Sequence, residues 1–295
     1  MLSTKRLVIG IIFLIAVISI GIVVIVMLYG QPVHAPVEVV VPPEFTKEIV
    51  GRSVQGRNIE AYTYGKGPKK LLFVGGIHGG YEWNSVVLAH QFMDYFSANP
   101  TVLPETVSVT IIPSANPDGV YKVVGKEGRF AATDVPVVDK EVFASGRFNA
   151  NGIDLNRNFD CNWVPTSTWQ SKTVSAGSSP FSEPEALAIK EFVLKNKPEA
   201  VIFWHSQANA VYASECNAGV LAETLDIMNT YASAAGYQAI KSFDSYKVTG
   251  DAEGWLASIN IPAITVELKT HETVEWEQNL AGVKAILKYY NAPAR

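Results

Sequence analysis

The sequence is short of the features that would direct it to several common functions. Its 24 Lys and Arg are outnumbered by 28 Asp and Glu, giving a formal net charge of −4; the clustered basic face that nucleic acid requires is missing. No internal repeat or low-complexity tract is present, which argues against a solenoid or a disordered linker protein. Cysteine occurs twice, at Cys161 and Cys216, so a single internal bridge is the most the chain can form. Histidine is scarce as well: the five are His34, His78, His90, His205 and His271, a short list from which to choose metal ligands.

What the chain does have begins at its N-terminus. Leu7 to Tyr29 is a run of 23 residues without a charge, rich in Ile, Val and Leu. As a helix it spans about 35 Å, enough to cross a bilayer with some tilt. Lys5 and Arg6 precede it, which favours a cytoplasmic tip and an external remainder. We read residues 1–30 as a tip and signal anchor that holds the protein to the cell membrane in a single pass. A cleavable signal peptide is the alternative, with Val33-His34-Ala35 as a loose cleavage site; the apolar core is long for that, and Pro36 would follow the cut. Residues 31–44, with Pro32, Pro36, Pro42 and Pro43, read as an extended stalk. Residues 45–295 then form one large domain. Cysteines outside the cell tend to pair, and Cys161 and Cys216 leave neighbouring functional segments, so a bridge between them is expected.

Within the domain, apolar strands alternate with helical patterns. Lys70–Gly75, Val107–Ile112, Ala200–Trp204 and Ala263–Leu268 read as strands; 83–96, 182–194, 221–235 and 283–290 read as helices, the second with an N-cap supplied by the Ser-Glu-Pro-Glu run from Ser182. Such alternation predicts an α/β domain, and ligands of these sheets gather at strand C-terminal ends. His78, His205 and Glu267 fall there.

Four segments carry the chemistry: GGIHGGYEWN at 75–84, GIDLNRNFD at 152–160, FWHSQ at 203–207 and ITVEL at 264–268. His78, Glu82 and His205 can supply the three protein ligands of a hydrolytic zinc site, with one position left for water. Glu267 is the candidate general base, because a carboxylate inside a strand is costly unless it serves a site.

These segments, with PSANPDGV at 113–120, SPFSEPEA at 179–186 and SYKVTGDAEGW at 245–255, resemble the zinc carboxypeptidases related to carboxypeptidase A, in order, over roughly residues 45–292. The resemblance implies a mixed, twisted eight-stranded sheet with helices on both faces, one Zn2+ per chain, and hydrolysis of the C-terminal amide bond of external peptides or peptidoglycan peptides. It implies that Asn156 and Arg157 bind the substrate's terminal carboxylate, that Tyr246 closes over it, and that Arg147 stabilises the oxyanion, with Arg129 as fallback. Glu253 matches the base of the specificity pocket, where it would favour a cationic side chain; a solvated loop acid is the alternative. Some relatives carry a folded pro-domain, for which this chain is expected to have no room.

One departure stands out: three residues separate His78 from Glu82, where the family has two. Either a regular helix presents both on one face, as i and i+4, or the Gly79-Gly80 pair absorbs the extra residue as a bulge. Two rival functions follow. A deacylase of the aspartoacylase type would share the ligands, and a metal-free peptide- or wall-binding module would follow if the spacing had destroyed the site.

Overall fold

The computed structural model describes residues 9, 13, 14, 16–19 and 45–293. The chain divides into two compact units, Met1–Pro42 and Pro43–Arg295. In the first, Ile9, Phe13, Leu14 and residues 16–19 are helical and exposed. Among the described residues no helix is long and apolar enough to cross a membrane. The rest of the anchor read at 7–29, and the stalk at 31–44, lie outside them.

The second unit runs β1 (Phe45–Arg52), β2 (Asn58–Tyr64), β3 (Lys69–Val74), α1 (Trp83–Ala98), β4 (Val107–Ile112), α2 (Pro117–Val124) and α3 (Lys140–Ser145). It continues with β5 (Thr166–Trp169), β6 (Lys172–Ser175), α4 (Pro184–Asn196), β7 (Ala200–Ser206), β8 (Ala210–Ala213), α5 (Ala222–Ala235), β9 (Gln238–Ile240), α6 (Ala252–Ser258), β10 (Ala263–Leu268) and α7 (Trp276–Asn291). Eight strands make one mixed sheet in the order β1-β2-β4-β3-β7-β10-β8-β9, and β5 and β6 form a separate hairpin.

The central strands β3, β7 and β10 are mutually parallel neighbours. Strands buried on both faces read as continuous apolar runs, and β7 (Ala-Val-Ile-Phe-Trp-His-Ser) is buried at every position. Successive side chains go to opposite faces. Phe73, Ile202, Trp204 and Ile264 meet Phe92 of α1, Tyr231 of α5 and Ile286 of α7 on one side. Leu72, Val74, Val201 and Phe203 meet Ile189 and Phe192 of α4 and Leu256 of α6 on the other. Trp204 sits between Phe73 and Phe92, each with a ring centroid 5.1 Å away. Two-sided coverage leaves the sheet's strand ends as the place where polar groups can collect.

Some elements differ from the sequence reading. Helix α4 is not capped by Ser182: its N-cap is Glu183, without a side-chain cap, and Pro184 opens the helix. The Ser182 hydroxyl accepts from Asn158 Nδ2 at 3.0 Å and donates to Glu183 Oε1 at 3.0 Å. Helix α7 begins at Trp276, ahead of the apolar pattern at 283–290, because its first turns are organised by buried Asn279, whose Nδ2 donates to Val274 O at 2.8 Å and Tyr237 Oη at 3.0 Å. Strand β1 lies at the sheet's edge with an exposed, charged sequence, so no period-2 burial pattern marks it.

Cys161 and Cys216 are joined in a disulfide across 55 residues of sequence. A closed loop of this size stabilises by restricting the unfolded chain, typically by about 2–4 kcal/mol. Denaturant unfolding with and without reductant should show a loss of that order; identical midpoints would mean that the bridge adds nothing to the fold.

Candidate active site

The site begins where β3 ends. After Val74 the backbone turns through Gly76 and His78 into a single 3-10 turn over Gly79–Glu82, and α1 starts only at Trp83. Gly79 has φ +49°, in the left-handed region that glycine tolerates. A Cβ on Gly79 would lie 2.4 Å from Gly146 O, and one on Gly80 would lie 2.5 Å from Val123 Cβ. The extra residue is therefore taken up in the glycine turn, not in a regular helix, and His78 Nδ1 comes within 2.7 Å of Glu82 Oε1. The longer spacing does not separate the ligands, and the metal-free module loses its basis.

The third donor arrives from β7. His205 Nδ1 is 3.1 Å from His78 Nδ1 and 3.1 Å from Glu82 Oε2. The three ligand atoms lie within 4.8 Å of one another, and the residues are 5, 2 and 2% exposed for His78, Glu82 and His205. Two ring nitrogens facing each other across a carboxylate, all shut away from water, form a donor set for a cation. Glu82 Oε2 is moreover buried without a hydrogen-bond partner; the approach of His205 Nδ1 to it has an ion-pair distance but not a hydrogen-bond geometry. Two histidines and one glutamate fit zinc.

Electrostatics separate the two imidazoles. Burial and the Arg147 charge push His78 down to about 4. Burial also opposes charge on His205, but the Glu82 and Glu253 carboxylates outweigh it and raise this imidazole well above its usual range. Glu82 is held well below the carboxylate range by the two histidines, against its own burial. Zinc uptake must then displace a proton from His205.

Around the ligands, Arg147 Nε donates to Asp154 Oδ2 at 2.8 Å, its Nη1 is 3.9 Å from Glu82 Oε1, and its guanidinium lies 4.9 Å from the Trp169 ring centroid. The other oxygen of Asp154 is 3.7 Å from His78 Nε2. Glu253 Oε1 is 3.1 Å from His205 Nε2 and accepts from Thr265 Oγ1 at 3.1 Å. Glu267 is set by register: on β10 it pairs with His205 of β7 on one side and Ala210 of β8 on the other. Its Oε2 is buried without a partner. Burial, reinforced by the Glu82 and Glu253 charges, pushes its carboxyl up to about 8.

His78, Arg147, Asn156, Arg157, His205, Tyr246, Glu253 and Glu267 all line one cleft of about 410 Å³; Glu82 is buried and does not line it. Asn156 Oδ1 accepts from Ala252 N at 2.8 Å, which ties the Asn-Arg turn to the start of α6. Arg157 is aimed by carbonyl oxygens: Nη1 donates to Asn156 O at 2.6 Å and Nη2 to Thr168 O at 3.0 Å. Tyr246 packs edge-on against Phe243 at 4.9 Å, and both disulfide cysteines lie in the cleft wall. Arg129 is elsewhere, paired with Asp94 at 2.6 Å on the surface. His271 Nδ1 meets Ser206 Oγ at 2.8 Å and takes no part in the ligand set.

Sequence reasoning passed over Asp154, Thr265, Trp169 and Asp251. Asp154 stood inside a quoted motif, GIDLNRNFD, and was the readable one. Trp169 comes from a hairpin with no chemical signature.

This sheet carries a buried His-Glu-His set able to hold a metal, beside a cleft at the ends of its central strands. The family model for zinc carboxypeptidase matches residues 41–284, and the chain belongs to that family, whose metal is zinc. Gamma-D-glutamyl-L-diamino acid endopeptidase 1 of Lysinibacillus sphaericus is 25% identical over 238 residues, covering 74% of this chain and 59% of that protein. The chain thus spans less than two thirds of that relative's length. Carboxypeptidase A from Helicoverpa armigera has the same fold with a TM-score of 0.67 and 19% identity, over 86% of this chain and 70% of that one. Murein-tripeptide amidase MpaA from Escherichia coli O157 superimposes with a TM-score of 0.59 and 21% identity, over 86% and 94%.

The glycine turn is testable. A side chain at a left-handed position costs about 1–3 kcal/mol, and here it would also press on the Gly146 carbonyl. Gly79→Ala should lower stability by that order and reduce zinc content measured by elemental analysis. Unchanged stability with full zinc would show that the turn does not bring the ligands together.

Proposed function

We propose that this protein is a metallocarboxypeptidase that removes the C-terminal residue of peptides, with wall-type peptides ending in a diamino acid as preferred substrates. The observation that carries the hydrolytic step is the unpartnered Glu267 carboxyl, which lines the same cleft as His78, His205 and Arg157. Bound zinc supplies Lewis-acid polarisation of water and of the scissile carbonyl. Glu267 accepts the proton of the attacking water and returns it to the leaving amide nitrogen, so that one amide and one water become one acid and one amine. Arg147, anchored through Nε to Asp154, presents its remaining donors to the carbonyl oxygen as charge develops there. Asn156 and Arg157 hold the terminal carboxylate, for which a guanidinium fork offers two parallel hydrogen bonds. Tyr246 covers the bound residue. The diamino-acid preference is supported by Asp251 and Glu253 in the cleft lining, and by the activities for which the Lysinibacillus endopeptidase and the murein-tripeptide amidase are named.

Glu267 works as the carboxylate. Its carboxyl titrates at about 8 before a cation is bound, and a cation beside it favours the ionised form. Activity therefore falls as pH drops through a pKa lower than that. Glu267→Gln should retain zinc and lose about 10²–10⁴ in kcat; a variant that keeps its zinc, its rate and its acid limb would remove Glu267 from the mechanism.

Substrate choice gives an independent test. The purified protein should release the last residue from a peptide acid but not from the matching C-terminal amide, and a terminal diamino acid or Lys should be cleaved faster than Phe. Equal cleavage of acid and amide would refute the roles of Asn156 and Arg157, and action confined to N-acyl amino acids would favour the deacylase.

A further inference from the structure

Glu253 is placed for more than charge. It projects from the first turn of α6, which Asp251 fixes by accepting from Gly254 N at 2.7 Å. Both partners of its Oε1 come from central strands: His205 Nε2 from β7 and Thr265 Oγ1 from β10, each at 3.1 Å. Glu253 and His205 are 4 and 2% exposed, so water does not compete for the contact. An ionised carboxylate can only accept, and the ring nitrogen that faces it must therefore carry the hydrogen. That leaves the neutral ring's lone pair on Nδ1, the atom 3.1 Å from both His78 Nδ1 and Glu82 Oε2. Thr265 donates to the same oxygen and stops the carboxylate swinging away.

We propose that Glu253, braced by Thr265, is the positioning residue for His205, fixing its tautomer and ring orientation so that Nδ1 is offered to the metal. This rests on the reading of His78, Glu82 and His205 as the zinc ligands, and it gives Glu253 a role distinct from substrate preference. A partner of this kind typically changes metal affinity 10–100-fold.

Zinc affinity of the full chain, measured by competition with a chromophoric chelator, is the decisive readout, taken alongside unfolding of the metal-free protein. Glu253→Ala should bind zinc about 10–100-fold more weakly than the native chain without a matching loss of fold. Glu253→Gln, whose amide oxygen can still accept from Nε2–H, should recover part of that loss, and Thr265→Val should show a smaller one. If Glu253→Ala holds zinc as tightly as the native chain while its preference among C-terminal residues changes, the positioning role is overturned and the ligand set stands. If the native chain itself binds no zinc, the ligand set fails, and the positioning role with it.

Discussion

The arrangement depends on one constraint: ionisable groups crowd the end of a sheet that water cannot reach. Glu82, Asp154 and Glu253 are 2, 0 and 4% exposed, and His205 and Arg147 are 2 and 3%. Burying an unpaired charge costs several kcal/mol, so each group has to be matched to another. Asp154 answers Arg147, and Glu253 answers His205. What stays unmatched is the space between His78, Glu82 and His205, with the orphaned oxygen of Glu267 on the same cleft. A dication resolves that mismatch, and the folded chain is organised around the gap it fills.

The sheet makes this crowding possible. Because β3, β7 and β10 run parallel and side by side, their C-terminal ends lie together, and the residues that follow arrive from the same direction. His205 and Glu267 are register partners on adjacent strands, so the proposed ligand and the proposed base are neighbours by strand pairing alone. Asn156 and Arg157 come from a loop without regular strand or long helix. Their placement depends on borrowed backbone contacts, with Ala252 N at one end of the turn and Thr168 O at the other.

Much of this was legible in the sequence, for a physical reason. Buried parallel strands carry an unmistakable apolar signal, so 200–204 and 263–268 could be placed with the site residues at their ends. Elements that bury little or are stabilised by polar contacts were not legible. The edge hairpin β1–β2 is charged and half-exposed, and the start of α7 rests on the Asn279 amide. At the site, residue types named the ligands, but the positioning contacts were invisible, because Thr265 and Trp169 have no chemistry of their own until the fold sets them against Glu253 and Arg147. The glycine turn lay between these cases: both routes from His78 to Glu82 were open on paper. The approach of Gly146 O and Val123 Cβ to Gly79 and Gly80 selects the tight turn.

Three glutamates in one small volume illustrate how environment assigns roles to a single residue type. Glu82 sits between two imidazoles and is held well below the carboxylate range, which suits a ligand that must stay anionic. Glu253, also buried, is kept below that range by the hydrogen bond and charge of His205. Glu267 has neither partner: burial and the repulsion of the other two raise it to about 8. The group that can exchange a proton near neutral pH is therefore the one of the three that has no hydrogen bond to an imidazole. Pushing neighbouring titratable groups apart in this way suits the three proposed roles of ligand, support and base. It also explains why Glu82 and Glu253 must both keep their charge, since neutralising either would remove part of the repulsion that keeps the Glu267 carboxyl within reach of a proton.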